Sequence, residues 1–181
     1  DRIPVTILTK NVHWLQTGLW KSTLRDLTTD YKDIARLLTV GFTITGKDEL
    51  EPGAPSTEKR IEALRKLHDE YKIKTFVSLE PIIDLHSASD VIKETYKITD
   101  EIRIGAQSPI KKDRYDPKEF GGFVTAIKCI ARFSKCRFQV KNSMYKQAEA
   151  FGGVYRDLCV RRLDEIREIY AVKSKEENDE K

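Results

Sequence analysis

The sequence predicts an α/β protein built from parallel βα repeats, and three observations predict it. Five short β-rich apolar runs alternate with segments whose apolar residues recur at helical spacing. Hairpin signals such as Asn-Gly or Asp-Gly are missing between those runs, which leaves helical crossovers and therefore parallel strands. The end of nearly every run is polar, as it is where parallel sheets present ligand-binding groups. Two architectures fit this alternation: an open doubly wound sheet, or part of a (β/α) barrel.

The first run, Ile3 to Thr9, reads as a strand buried on both faces, ending in Thr9-Lys10-Asn11. Val12 to Lys21 reads as a loop with a short helix carrying His13, Trp14 and Trp20. Leu24, Leu27, Tyr31, Ile34 and Leu38 then predict a helix over Thr23 to Leu38. Val40 to Thr45 is the second strand, and Gly46 to Pro55 a polar loop. Ser56 caps the next helix, with Ile61, Leu64, Leu67 and Tyr71 along its apolar stripe. Lys74 to Glu80 is the third strand, stopped by Pro81. Ser87 or Ser89 caps a helix bearing Val91, Ile92 and Tyr96. Glu101 to Ala106 is the fourth strand. Asp116-Pro117-Lys118-Glu119 is a helix start with an Asp cap, Pro at the first position and Glu at the third. Gly121-Gly122 interrupts that helix's stripe and allows close packing. Cys136 to Val140 is the fifth strand. A short helix reaches Phe151, Gly152-Gly153 breaks it, and a final helix runs from Val154 to about Val172. Residues 173–181 are expected to fray, leaving residues 1–172 as one domain.

With 181 residues there is room for one domain with a real core. The 33 Lys+Arg against 29 Asp+Glu leave a net charge of +4, which permits a nucleic-acid partner and does not demand one. No apolar run approaches the ~18 residues of a membrane span. Three cysteines, an odd number without close spacing, are not a disulfide framework, so a reducing cytoplasm is expected. Walker A, GxGxxG, GxSxG and CxxC motifs are absent. The three histidines have no metal-ligand spacing. Asp1 stands where a Met would open a chain, and Ile3 lies almost at once in a strand, so a piece of a longer protein is expected.

The candidate site is the set of strand ends. Lys10 is a mobile cation suited to a carboxylate or phosphate. Thr43 and Thr45 offer hydroxyls that both donate and accept. Glu80 suits an ammonium or a ribose diol. Gly105 lets a flat ring approach the backbone, and Gln107 can read an amide or a base edge. Lys10 and Glu80 could instead pair with each other or with Arg103.

The stretches ILTKN, GFTIT, ELEPGAPSTEKRIEALRKL and TFVSLEPII resemble the later strands of radical S-adenosylmethionine (radical SAM) enzymes, nearest the spore photoproduct lyase-like branch. The residues carrying the resemblance are Thr9-Lys10, Phe42-Thr43-Ile44, Glu51-Pro52-Gly53, Arg60 and Ser78 to Pro81. It implies a partial, TIM-like (β/α) barrel of about five strands that holds S-adenosylmethionine at its mouth. Lys10 and Thr43 would contact the methionine part, joined by Thr45 and Glu80. It also implies a [4Fe-4S] cluster in the intact parent, and reductive cleavage of the sulfonium to a 5′-deoxyadenosyl radical. The CxxxCxxC that anchors such a cluster is absent here, so this chain alone is expected to hold no cluster and to lack the activity. The first strand would then be an unpaired apolar edge that invites self-association. The alternatives are a non-catalytic α/β binding module, or a cluster-independent barrel enzyme using Lys10 or Lys141 with Glu80.

Overall fold

Residues 3–18, 20, 22–23 and 36–179 are described by the computed structural model. The apolar runs form five strands: β1 (Val5–Thr9), β2 (Leu38–Thr43), β3 (Lys74–Ile82), β4 (Glu101–Ala106) and β5 (Arg137–Val140). They make one all-parallel sheet whose spatial order, β1-β2-β3-β4-β5, is the chain order. Among the described residues the order never reverses, so they show no switch point of the doubly wound kind.

The helices between and after the strands are α1 (Thr57–Arg65), α2 (Leu85–Thr95), α3 (Pro117–Phe133), α4 (Asn142–Phe151) and α5 (Gly153–Asp179). The caps explain the starts. Ser56 accepts from the Lys59 amide, and Asp116 accepts from the amides of Lys118 and Glu119 with Pro117 at the first position. Helix α2 is capped by Asp84, which accepts from the Ser87 amide, rather than by Ser87 or Ser89; the Ser89 hydroxyl turns back to the Leu85 carbonyl inside the helix.

Strand parity divides the sheet into two unlike faces. One face carries Phe42, Val77, Ile102 and Phe138 in one register row, and Leu79, Ile104 and Val140 in the next. These are buried in the cluster formed with Leu64 and Leu67, with Val91 and Ile92 of α2, and with Phe120, Val124 and Ile127 of α3. The other face carries Leu8, Gly41, Phe76, Glu101 and Arg137 in one row, and Thr43, Ser78, Arg103 and Gln139 in the next. Phe76 is 1% exposed yet stands outside the helix-packed cluster, because it lies on this polar face.

Several expected boundaries move. Strand β3 passes Pro81 and ends at Ile82, through a cis Glu80–Pro81 bond. Strand β2 is shifted two residues toward the N-terminus, β1 begins at Val5, β5 begins at Arg137, and α5 continues to Asp179. Lys173, near that end, donates to the carbonyls of Ala131 and Ser134 at the close of α3. The helix expected over Thr23 to Leu38 lies mostly outside the described residues; at its far end, Leu38 opens β2. Strand β1 is not buried on both faces: Val5 is 50% and Leu8 53% exposed. It is an edge strand, paired among the described residues with β2 alone. The opposite edge is different, since α5 packs against β5, α3 and α4. Trp14 and Trp20 meet edge to face, with ring centroids 4.9 Å apart. No helix among the described residues is long and apolar enough to cross a membrane.

Candidate functional site

The carboxyl end of β2 is tied to the loop that follows it by one side chain. Arg60, in the first turns of α1, is fully buried. Its Nη1 donates to the Thr43 carbonyl at 2.7 Å, and its Nη2 lies 3.1 Å from Asp48 Oδ1 and 2.6 Å from Glu51 Oε2. Glu51 Oε1 in turn accepts from Lys10 Nζ at 2.7 Å, just beyond β1. Asp48 also accepts from the Thr57 amide and hydroxyl, so it closes the start of α1 as well. The acidic loop therefore folds back onto a buried cation, and Gly53, with φ of 81°, supplies the left-handed residue that the reversal after Pro52 requires.

The electrostatics follow from this arrangement. Burial, the largest single influence, pushes the Glu51 carboxyl up, but the hydrogen bonds from Lys10 and Arg60 and the charges of both outweigh it and hold the group below its ordinary range. For Asp48, burial likewise pushes up and is outweighed by the Thr57 hydroxyl and amide and by Arg60, so its carboxyl is also lowered. Both stay ionised beside the buried guanidinium of Arg60.

A second pair forms at the next two strand ends. The Glu80 side chain lies over Gly105: a Cβ at position 105 would stand 2.8 Å from Glu80 Oε1. Gly105 thus makes room for the carboxylate of the neighbouring strand. Glu80 is exposed and has no hydrogen-bond or ion-pair partner among the described residues. The Thr43 hydroxyl is likewise unpartnered there, while its carbonyl serves Arg60.

The remaining candidates are built into loops. Thr45 is 2% exposed, and its hydroxyl accepts from the Lys47 amide at 3.3 Å. Gln107 Oε1 accepts from Arg114 Nη1 at 2.8 Å; the Gln107 backbone N–H donates to the Tyr115 hydroxyl, which itself donates to the Ile82 carbonyl. Lys141 sits half-buried before α4. Lys10 pairs with Glu51, and neither it nor Glu80 pairs with Arg103, which bonds Glu101 instead.

Sequence reasoning missed Asp48 and the Lys47–Asp84 ion pair at 3.4 Å. The signal for Asp48 was the spacing of an acid nine residues before a helix-opening Thr. No comparable local signal marks Asp84 as Lys47's partner, because the two meet only when β2 and β3 are side by side.

The cysteines do not fit an iron–sulfur cluster. Cys136 is 1% exposed and burial pushes its thiol up to about 12. Cys159 is fully buried, against Gly121 of α3, and Cys129 is exposed. Among the described residues no group of three or more His, Cys, Asp or Glu could hold a metal ion. Compared with known protein families, curated proteins and solved structures, the chain matches none.

Proposed function

We propose that this chain is the later part of a radical SAM-type (β/α) barrel, whose strand ends bind S-adenosylmethionine. One observation carries the reading. The residues that resemble the family, scattered from Lys10 through Thr43 and Glu51 to Arg60, converge in one ion-paired cluster at the ends of β1 and β2. The sequential parallel order and the single polar face fit the inner wall of an incomplete barrel.

The residues present fit the polar end of the cofactor. The Lys10 side chain is 48% exposed and its ammonium has donors beyond the one given to Glu51, so it can meet a carboxylate. The Thr43 hydroxyl is free among the described residues, and Glu80 offers a carboxylate to an ammonium or a ribose diol. Bound in the whole enzyme, the cofactor would supply a 5′-deoxyadenosyl radical. This chain's part is to hold and orient it, and no step is assigned to the cysteines. The version of the cluster-independent enzyme that uses Lys10 is disfavoured, because Lys10 is held in an ion pair and not in the desolvated setting that lysine catalysis uses.

Calorimetric titration of the chain with S-adenosylmethionine tests this. Binding is expected, weakened about tenfold by Lys10→Ala or Thr43→Ala, roughly the loss of one charge-assisted hydrogen bond, with the melting temperature little changed. Unchanged affinity in both variants, or no heat of binding at all, would defeat the assignment and leave the non-catalytic binding module. Self-association through β1 belongs to the same proposal. A dimer is expected by mass photometry or sedimentation, and a strict monomer at micromolar concentration would remove it.

A further inference from the structure

The polar face holds a second arrangement, deeper on the sheet than the strand ends and outside the Lys10–Glu51–Arg60 cluster. Phe76 of β3 lies across Gly41 of β2: a Cβ on Gly41 would stand 2.3 Å from the ring. Arg103 reaches over from β4 and stacks its guanidinium on the same ring, 3.7 Å from the centroid. Its Nε donates to Glu101 Oε1 at 2.6 Å, and that carboxylate is itself fixed by the Tyr170 hydroxyl of α5 at 3.2 Å and by Arg137 at 3.4 Å.

A flat cation is thus anchored through one edge and one face. Its Nη1 and Nη2 have no acceptor among the described residues, and the side chain keeps 27% of its surface open. Ser78 and Gln139 flank it in the same register row, one on each neighbouring strand. The nearest other acid along β3 on this face, Glu80, lies over Gly105 and forms no ion pair with Arg103.

We infer that the open edge of Arg103, flanked by Ser78 and Gln139, is an oxyanion-binding site on the sheet face, taking the carboxylate or phosphate of a small ligand. A guanidinium whose torsions are already fixed presents a two-pronged fork that matches either group, and loses little freedom on binding. The hydroxyl and the amide beside it supply further donors. The inference does not use the S-adenosylmethionine reading, and stands or falls separately from it.

The test is an NMR titration of the whole chain with sodium phosphate, and in a second arm with sodium malonate, each against sodium chloride at equal ionic strength. Saturable shifts are expected at the Arg103 Nε–Hε resonance and at the amides of Ser78, Arg103 and Gln139. Arg103→Lys keeps the charge but loses the fork and the stack, and should weaken the interaction about tenfold. Saturation with phosphate alone points to a phosphate ester, with malonate alone to a carboxylate, and with both to either oxyanion; each supports the site. Shifts that chloride reproduces, shifts that bypass the Arg103 resonance, or equal binding by Arg103→Lys overturn it. Should Arg103→Lys not fold, the wild-type Arg103 resonance decides alone.

Discussion

Replacing Arg60 by Ala should destabilise the protein by about 3–5 kcal/mol, the cost of removing one partner from a buried ion pair. The side chain is wholly buried, and three acceptors depend on it: the Thr43 carbonyl, Asp48 and Glu51. Glu51 is left with Lys10 alone, in a place where its side chain is only 7% exposed. The loop from Gly46 to Pro55 then has no centre to fold around. In a protein of ordinary stability, 3–5 kcal/mol is a large part of the total, so chemical denaturation should show either a much earlier midpoint or no native baseline. Adding Glu51→Gln removes the stranded charge and should recover part of the loss. The acid limb tests the same cluster. The folded carboxyls of Glu51 and Asp48 lie below their unfolded values, so their contribution is complete above about pH 5 and is lost as pH falls through the folded values. Arg60→Ala should flatten that limb. A variant within about 1 kcal/mol of wild type would show that the cluster is not what holds the loop.

Gly41→Ala should cost about 1–3 kcal/mol, or several degrees in melting temperature, although it adds one methyl group to a strand. The new carbon would stand 2.3 Å from both Cε1 and Cζ of Phe76 and 2.5 Å from Cδ1. The ring is rigid and cannot retreat freely, because Arg103 is stacked on it and Arg103 is held by Glu101. Overpacking at Gly41 therefore travels through Phe76 into the guanidinium, and the oxyanion response of the Arg103 resonance should weaken with it. Phe76→Leu in the same chain relieves the clash, and the two substitutions should be less than additive. If Gly41→Ala melts with the wild type, the ring is looser than this stack requires.

The sequence carried the strands well, because a strand that buries one face against helices is apolar and rich in β-branched or aromatic residues there: Val77, Ile102, Ile104 and Phe138 announce themselves. Ends were harder. Pro81 reads as a stop, yet β3 continues to Ile82. Asp84 takes the cap of α2 from the nearby serines because its carboxylate reaches the Ser87 amide. In the candidate site, Lys10, Thr43, Glu80 and Gly105 were legible as polar or small residues at strand ends. Their partners were not. Glu51 and Arg60 entered through resemblance alone, and nothing local says that a helical Arg will bond a strand carbonyl 17 residues back. Gly105 was read as space for a ring, and that space is taken by the Glu80 carboxylate. The Gly41–Phe76–Arg103 arrangement escaped notice because it joins three strands, and no window along the chain contains it.

The unequal edges of the sheet bear on how copies could assemble. With α5 packed against β5 and β1 bare among the described residues, only one side of the sheet can accept another strand. A head-to-tail filament needs two different free edges and has one. Pairing β1 with β1 instead places the two copies about a twofold axis, their edge strands antiparallel, and uses up both edges at once. Growth stops at two. In the self-association proposed above, an edge that would otherwise seed aggregation would close into a finite, self-terminating sheet of ten strands, two copies of the five described in one chain.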